Sequence, residues 1–208
     1  MKQQIIVALD LEGVLVPEIW IAFAEKTGID ELRATTPDIP DYNVLMKQRL
    51  VLLDQHNLKI GDIQDVIGTL EPLPGALDFI NWLRERFQVI ILSDTFYEFS
   101  QPLMRQLHWP TLFCHRLIVD DTGRVIDYKL RQDDPKRASI KALQSLKYRV
   151  LAAGDSYNDT TMLGEADVGF LIHAPDNVIQ EFPQFKAVDT LDQLKEAFVE
   201  ASDRDLVL

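Results

Sequence analysis

The sequence predicts an α/β fold: a Rossmann-like three-layer core around a central parallel sheet, a small helical domain inserted after the first strand, and a β-hairpin. Three observations carry this. Short runs rich in Val, Ile and Leu recur at residues 5–9, 88–92, 148–152 and 168–172, as expected of parallel strands buried on both faces. Helical patterns alternate with them, which implies a sheet covered on both sides. Residues 17–73 break the alternation, with no convincing strand.

In chain order, residues 5–9 (IIVAL) open the core and run straight into Asp10 and Glu12. Residues 17–27, 41–55 and 60–69 read as three helices, joined through a Pro-rich connector, Thr36-Pro37-Asp38-Ile39-Pro40. They are assigned to a cap domain at 17–73, leaving 1–16 and 74–208 as the core. Pro74-Gly75 precedes a helix over 76–86, followed by strand 88–92 and a helix over 96–107. Two β-type runs, 116–119 and 124–128, flank Asp120-Asp121-Thr122-Gly123, a turn whose glycine supplies φ > 0, so 114–131 reads as the hairpin. Asp134-Pro135 precedes a helix over 138–147. Then come strand 148–152, a helix over 159–165, strand 168–172, and a last helix over 191–201 with Thr190 as its cap. Asp203-Arg204-Asp205 reads as a fraying end.

Composition narrows the partners. The 208 residues are 47% hydrophobic and 26% charged, ordinary for a globular chain with a substantial core. A formal net charge of −12 repels nucleic acid and anionic membrane surfaces, so neither is expected as a partner. An anionic ligand must be held by local cations, a metal or backbone N–H groups. The single cysteine, Cys114, excludes an internal disulfide and suits a reducing compartment. The first apolar run is too short for a signal peptide or a membrane span, so a soluble cytoplasmic protein is expected. A homodimer is admitted but not specified.

In open parallel sheets, ligands bind beyond the carboxyl ends of the strands. Those ends carry Asp10 and Glu12, then Ser93, Asp94 and Thr95, then Gly154-Asp155-Ser156-Tyr157-Asn158-Asp159, with Lys136 at the start of the helix leading into the third strand. Singly, Asp155, Asp159 or Ser93 reads as a helix cap and Lys136 as a solvated first-turn residue. Together they do not. Crowded carboxylates repel unless a cation sits among them, and hard oxygen ligands point to Mg²⁺. Asp10, Asp155 and a cation make a site for phosphate chemistry, because a carboxylate can attack phosphorus to form an aspartyl-phosphate. Ser93, Lys136 and N–H groups in the loops after the first two strands, at Gly13 and Asp94, would hold the phosphoryl oxygens.

The ordered set Asp10-Leu11-Glu12-Gly13-Val14, Ser93-Asp94-Thr95, Lys136 and Gly154-Asp155-Ser156-Tyr157-Asn158-Asp159 resembles the haloacid dehalogenase-like phosphatases. The helical insert resembles that superfamily's phosphoserine phosphatase branch. Residues 9–20 (LDLEGVLVPEIW), 46–49 (MKQR) and 93–99 (SDTFYEF) are similar to its bacterial bifunctional group, which also transfers phosphoryl to homoserine; the likeness covers essentially the whole chain. The resemblance implies Asp10 as nucleophile and Mg²⁺ ligand, with the Glu12 main-chain carbonyl and Asp155 completing the protein ligands. Asp159 would steady metal waters or Lys136, Asn158 would touch the phosphate or substrate, and Ser93 and Lys136 would bind the phosphoryl group.

The insert bears on the substrate, expected to be a small molecule. Arg49 falls within the apolar stripe formed by Leu45, Met46, Leu52 and Leu53. It is either a snorkelling arginine or a fork of donors for a carboxylate. The resemblance favours the second, with Glu18 meeting the substrate ammonium, although Glu18 lies one residue closer to the nucleophile than in the family's usual pattern. As an acid in a helix's first turn, Glu18 has a purely structural reading too. His56, His108, His115 and His173 form no motif.

Glu12 stands where these phosphatases usually place an aspartate acting as general acid and base. Its extra methylene predicts a carboxyl poorly placed for water attack, leaving the phospho-enzyme time to meet an alcohol acceptor. Two rivals are weighed: a phosphatase for another small phosphomonoester, and a non-enzymatic phospho-aspartate receiver. The receiver needs two adjacent acids at the first strand and its acceptor on a later one, and neither is present. No Gly-x-x-x-x-Gly-Lys-Ser/Thr loop exists, which disfavours a P-loop kinase.

Overall fold

The computed structural model describes residues 3–35, 38–39 and 41–202. Thr36, Pro37 and Pro40 of the Pro-rich connector, and the expected fraying end at 203–205, lie outside the described residues. Strand β1 (Ile5–Leu9) is followed by α1 (Ile19–Thr27), a 3₁₀ turn (Asp30–Arg33), α2 (Tyr42–Gln55), α3 (Ile60–Ile67) and α4 (Ala76–Arg84). Next come β2 (Gln88–Phe96), α5 (Tyr97–Gln106), β3 (Leu112–Val119), β4 (Val125–Lys129) and α6 (Pro135–Ser145). The chain then forms β5 (Arg149–Gly154), a 3₁₀ turn (Tyr157–Asp159), α7 (Thr160–Glu165), β6 (Val168–Ile172), α8 (Asp176–Glu181), β7 (Lys186–Val188) and α9 (Leu191–Ser202). Among the described residues one sheet holds seven strands in the order β4-β3-β2-β1-β5-β6-β7, parallel except for β4 against β3.

The central strand is the most apolar one. Every residue of β1 is buried, and it pairs with β2 and β5, placing Leu9 beside both Ile91 and Ala153. Successive side chains point to opposite faces. Ile5, Val7 and Leu9 join a cluster with Phe79, Phe99 and Phe198 of α4, α5 and α9, while Ile6 and Ala8 join one with Ile140, Met162 and Val178 of α6, α7 and α8. This is the expected three-layer core. The first cluster continues through Trp20, Phe23, Leu53, Ile63 and Ile67 into α1, α2 and α3, with the Trp20 and Phe99 rings 4.8 Å apart. The inserted helices thus share the apolar core on one face of the sheet.

The hairpin turn forms as expected. Asp120 Oδ1 accepts hydrogen bonds from the N–H groups of Thr122 and Arg124, and Gly123 takes φ 84°. Yet the hairpin is no appendage, because β3 pairs parallel with β2 through Leu92 and Phe113 and so extends the main sheet. It also braces the insert. Ile60 N–H donates to Gly123 O, Arg124 pairs with Asp54, and Tyr128 bonds Asn43. Three further differences matter. Strand β2 runs on to Phe96 with an irregular register past Leu92, so Ser93, Asp94 and Thr95 sit on a distorted strand end. Helix α6 starts at Pro135, placing Lys136 in its first turn. Elements α8 and β7, with six and three residues, are too short to show a period and were not expected.

Candidate active site

The carboxyl ends of β1, β2 and β5 lie side by side because their registers are aligned. At their centre Asp10 is buried, its N–H donating to Ala153 O at 3.0 Å. Its Oδ1 accepts from Leu11 N–H at 2.7 Å and lies 2.9 Å from Lys136 Nζ. Lys136, 2% exposed, also reaches Asp159 Oδ1 at 2.8 Å and Asp94 Oδ2 at 3.5 Å. Burial alone would strip this lysine of its proton; the charges of Asp10, Asp159 and Asp94 instead hold its pKa well above the ordinary value.

Asp159 is fully buried and saturated: its Oδ2 accepts from the N–H groups of Asp155 and Ser156 at 2.9 and 3.2 Å. Asp155 is the opposite, with a buried Oδ1 that has no partner. Oxygens of Asp10, Asp155 and Asp159 lie within 4.8 Å of one another. Burial, then the charge of Asp159, pushes Asp10 well up, and the same two causes raise Asp155 to about 7. Three crowded acids, one with an orphaned oxygen, could hold a hard cation. Gly13 seals this cage. Its φ is +72°, and a Cβ there would lie 2.1 Å from Asp155 Oδ2. A Cβ on Gly154 would likewise meet Asp159 Cγ at 2.3 Å.

Beside the cage, Ser93 is buried and its Oγ accepts from Thr95 N–H at 3.2 Å. Asn158 Nδ2 donates to Asp94 Oδ2 at 3.2 Å. Glu12 turns toward α1, where its Oε2 accepts from Ile19 N–H at 2.8 Å. Burial, then the neighbouring Glu18, raises Glu12 to about 8. Glu18 is exposed at the start of α1, and partial desolvation still pushes its carboxyl up. Arg49 is 6% exposed and lies 4.4 Å above the Trp20 ring. One of its nitrogens donates to Ala34 O at 2.8 Å, but its buried Nε has no partner. Burial lowers its pKa to about 10.

The residues expected from the sequence lie at the carboxyl ends of β1, β2 and β5 and in the first turn of α6, while Glu18 precedes α1 and Arg49 lies on α2. Reading by sequence missed His115, Tyr42 and the role of Thr95. Buried His115 on β3 faces Asp94 Oδ1, with Nε2 at 3.6 Å. Tyr42, on α2, has its hydroxyl pKa raised by burial and by the charge of Asp94. Thr95 hydrogen-bonds Glu12. Nothing in the sequence near His115 signals its place, because β3 reaches Asp94 only through its pairing with β2.

The family profile of the haloacid dehalogenase-like hydrolases matches residues 6–167. A phosphoserine phosphatase from Pseudomonas syringae pv. tomato is 74% identical over 98% of this chain and 86% of its own length. Phosphoserine phosphatase ThrH from Pseudomonas aeruginosa is 71% identical over 98% and 99%. Among solved structures, a substrate-bound phosphoserine phosphatase superimposes with TM-score 0.76 at 20% identity, over 96% of this chain and 99% of its own. A phospho-aspartyl intermediate analogue of a phosphoserine phosphatase gives TM-score 0.75 at 19% identity, over 94% and 99%. At such identity these two speak to the fold alone, and the architecture is the same. A buried aspartate ion-paired to lysine at the end of a central parallel strand, a profile match over most of the chain and relatives above 70% identity all agree: the chain belongs to the haloacid dehalogenase-like hydrolase family.

Proposed function

We propose that this chain is a Mg²⁺-dependent phosphoserine phosphatase working through an aspartyl-phosphate on Asp10, and that it also passes the phosphoryl group to homoserine. The observation that carries the reading is the buried Asp10–Lys136 pair beside the orphaned oxygen of Asp155. Asp10, the Glu12 main-chain carbonyl and Asp155 are the residues to hold Mg²⁺. When bound, the ion neutralises the crowded carboxylates and polarises phosphoryl oxygens.

The chain's own groups supply the rest. Leu11 N–H and Lys136 both engage Asp10 Oδ1, which leaves Oδ2 to attack phosphorus as the bond to the serine oxygen breaks. Lys136, Ser93, Asn158 and the main-chain N–H groups of Gly13 and Asp94 hold the phosphoryl oxygens. Protonated Glu12 gives its proton to the departing serine oxygen, then takes one from the hydroxyl that attacks the phospho-enzyme, regenerating Asp10. Residues 17–73 act as the cap over the core formed by 1–16 and 74–208. Within the cap, Arg49 with its unpartnered Nε takes the substrate carboxylate, and Glu18 takes the ammonium.

Two kinds of support join here: the donor set of the site, and relatives above 70% identity that are phosphoserine phosphatases. No helix among the described residues is long and apolar enough to cross a membrane, and with a small-molecule substrate and one cysteine this suits a cytoplasmic enzyme. The test supplies phosphoserine to the Mg²⁺-loaded protein with and without homoserine, following inorganic phosphate and phosphohomoserine. Both products are expected. Comparable turnover of sugar phosphates would sink the amino-acid assignment, and phosphohomoserine at background would leave a plain phosphatase.

A further inference from the structure

Asp94 is a rim carboxylate whose side chain the chemistry above leaves without a task. Its Oδ2 accepts from Asn158 Nδ2 at 3.2 Å and lies 3.5 Å from Lys136 Nζ. Both side chains are among those assigned to the phosphoryl group. A single anionic oxygen therefore bridges two donors that a phosphoryl oxygen needs, inside the cluster where that oxygen must arrive. We propose that the Asp94 carboxylate is an intramolecular competitor for the phosphoryl subsite: it occupies Lys136 and Asn158 in the empty enzyme and turns onto His115 when a phosphoryl group enters.

The proposal rests on the phosphoryl-site reading and on three features of this chain. Asp94 has room to move, since its side chain is 35% exposed against 5% for Asp10 and 0% for Asp159. Its second oxygen already faces the place it would turn to, 3.6 Å from His115 Nε2. That nitrogen is set as a donor, because His115 Nδ1 accepts the Arg131 N–H at 3.1 Å and so leaves the ring proton on Nε2. His115 here is a positioning residue, acting on the phosphate only through Asp94.

The consequence is weak holding of phosphate. A carboxylate that must be displaced lowers affinity for the phosphoryl group of substrate and for product phosphate alike, a uniform effect on binding. Release of product phosphate becomes easier, which returns the free enzyme for the next substrate.

The test titrates inorganic phosphate into Mg²⁺-loaded wild type, Asp94→Ala, Asp94→Asn and His115→Phe by calorimetry, with phosphate inhibition of turnover measured in parallel. Removing the carboxylate is expected to tighten phosphate by about tenfold, the scale of one like charge at partly solvated range. Alanine adds no donor, so tightening in both Asp94 variants assigns the effect to the lost charge. His115→Phe is expected to weaken phosphate severalfold, and unchanged binding there refutes the turn onto His115. Equal or weaker phosphate binding by Asp94→Ala overturns the competitor role, because Asp94 then serves to hold Lys136 and Asn158 for phosphate. Absence of phosphate binding in all four proteins removes the subsite and the proposal with it. Inorganic phosphate is the probe throughout, so a failure to turn over phosphoserine counts against the substrate reading alone.

Discussion

Two buried cations, Lys136 and Arg49, stand among the described residues, and they are partnered in opposite ways. Lys136, under the rim, is ringed by Asp10, Asp159 and Asp94 and holds its proton more tightly than in water. Arg49, on α2, touches a carbonyl, a methionine sulfur and the Trp20 face, keeps a buried Nε unsatisfied, and has its pKa lowered by burial to about 10. A buried charge with all its partners belongs to the folded framework. One left short of partners can be completed by a ligand, and the partner we propose for Arg49 is a substrate carboxylate.

Replacing each cation with methionine breaks or sharpens this contrast. Lys136→Met strands a cluster of buried carboxylates, so we expect a stability loss of about 3–5 kcal/mol by urea denaturation without Mg²⁺, with phosphatase activity abolished. Arg49→Met removes a charge that is already poorly satisfied. Its stability should change by less than about 1 kcal/mol, while KM for phosphoserine rises by roughly 10–100-fold and kcat stays closer to wild type. A large stability loss in Arg49→Met would mean that the two cations are alike after all.

Glu12→Asp probes the junction between the two regions, since Glu12 reaches from the rim to Ile19 N–H at the start of α1. Shortening it by a methylene should shift the water-to-homoserine product ratio toward water by up to about 100-fold, the order expected when a catalytic group moves by about 1 Å. An unchanged ratio refutes the link between the extra methylene and the acceptor.

The smallest effect concerns Asp94, the most distant of the three Lys136 partners. Although burial raises its pKa, Lys136, the nearby His115 ring and the hydrogen bond from Asn158 bring it down from 3.8 to about 2. A carboxylate depressed on folding contributes stability that is fully present above its unfolded value and is lost as pH falls through the folded one. Asp94→Asn should therefore flatten the fall in stability between about pH 4 and pH 2, read as denaturant midpoints over that window. An identical acid limb in the variant would show that Lys136 draws nothing from this partner.

Much of the site was legible before any coordinates. Asp10, Ser93 and Asp155 follow apolar strand runs, and Lys136 follows Asp134-Pro135, so local pattern alone places each at a strand end or helix start. Arg49 was visible as a cation within an apolar stripe. His115 was not, because nothing near it in the sequence announces that β3 pairs parallel with β2 and carries its ring to Asp94. The hairpin was legible as two alternating runs around a glycine turn, but its membership of the main sheet depends on a partner strand before α5. Strand β7 is only three residues long and exists because β6 offers it an edge.

The sequence by itself determined the layers, the strand-end aspartate proposed as nucleophile and the set of groups around it, because strand periodicity and the residues that end a strand are local properties. Only the tertiary structure decided how those groups share one another. Asp159 is saturated and Asp155 is left with a bare oxygen; Lys136 is surrounded and Arg49 is not; Asp94 spans the two donors meant for a phosphoryl group. Burial and pairing are sums over partners brought in from distant segments, and no stretch of sequence contains that sum.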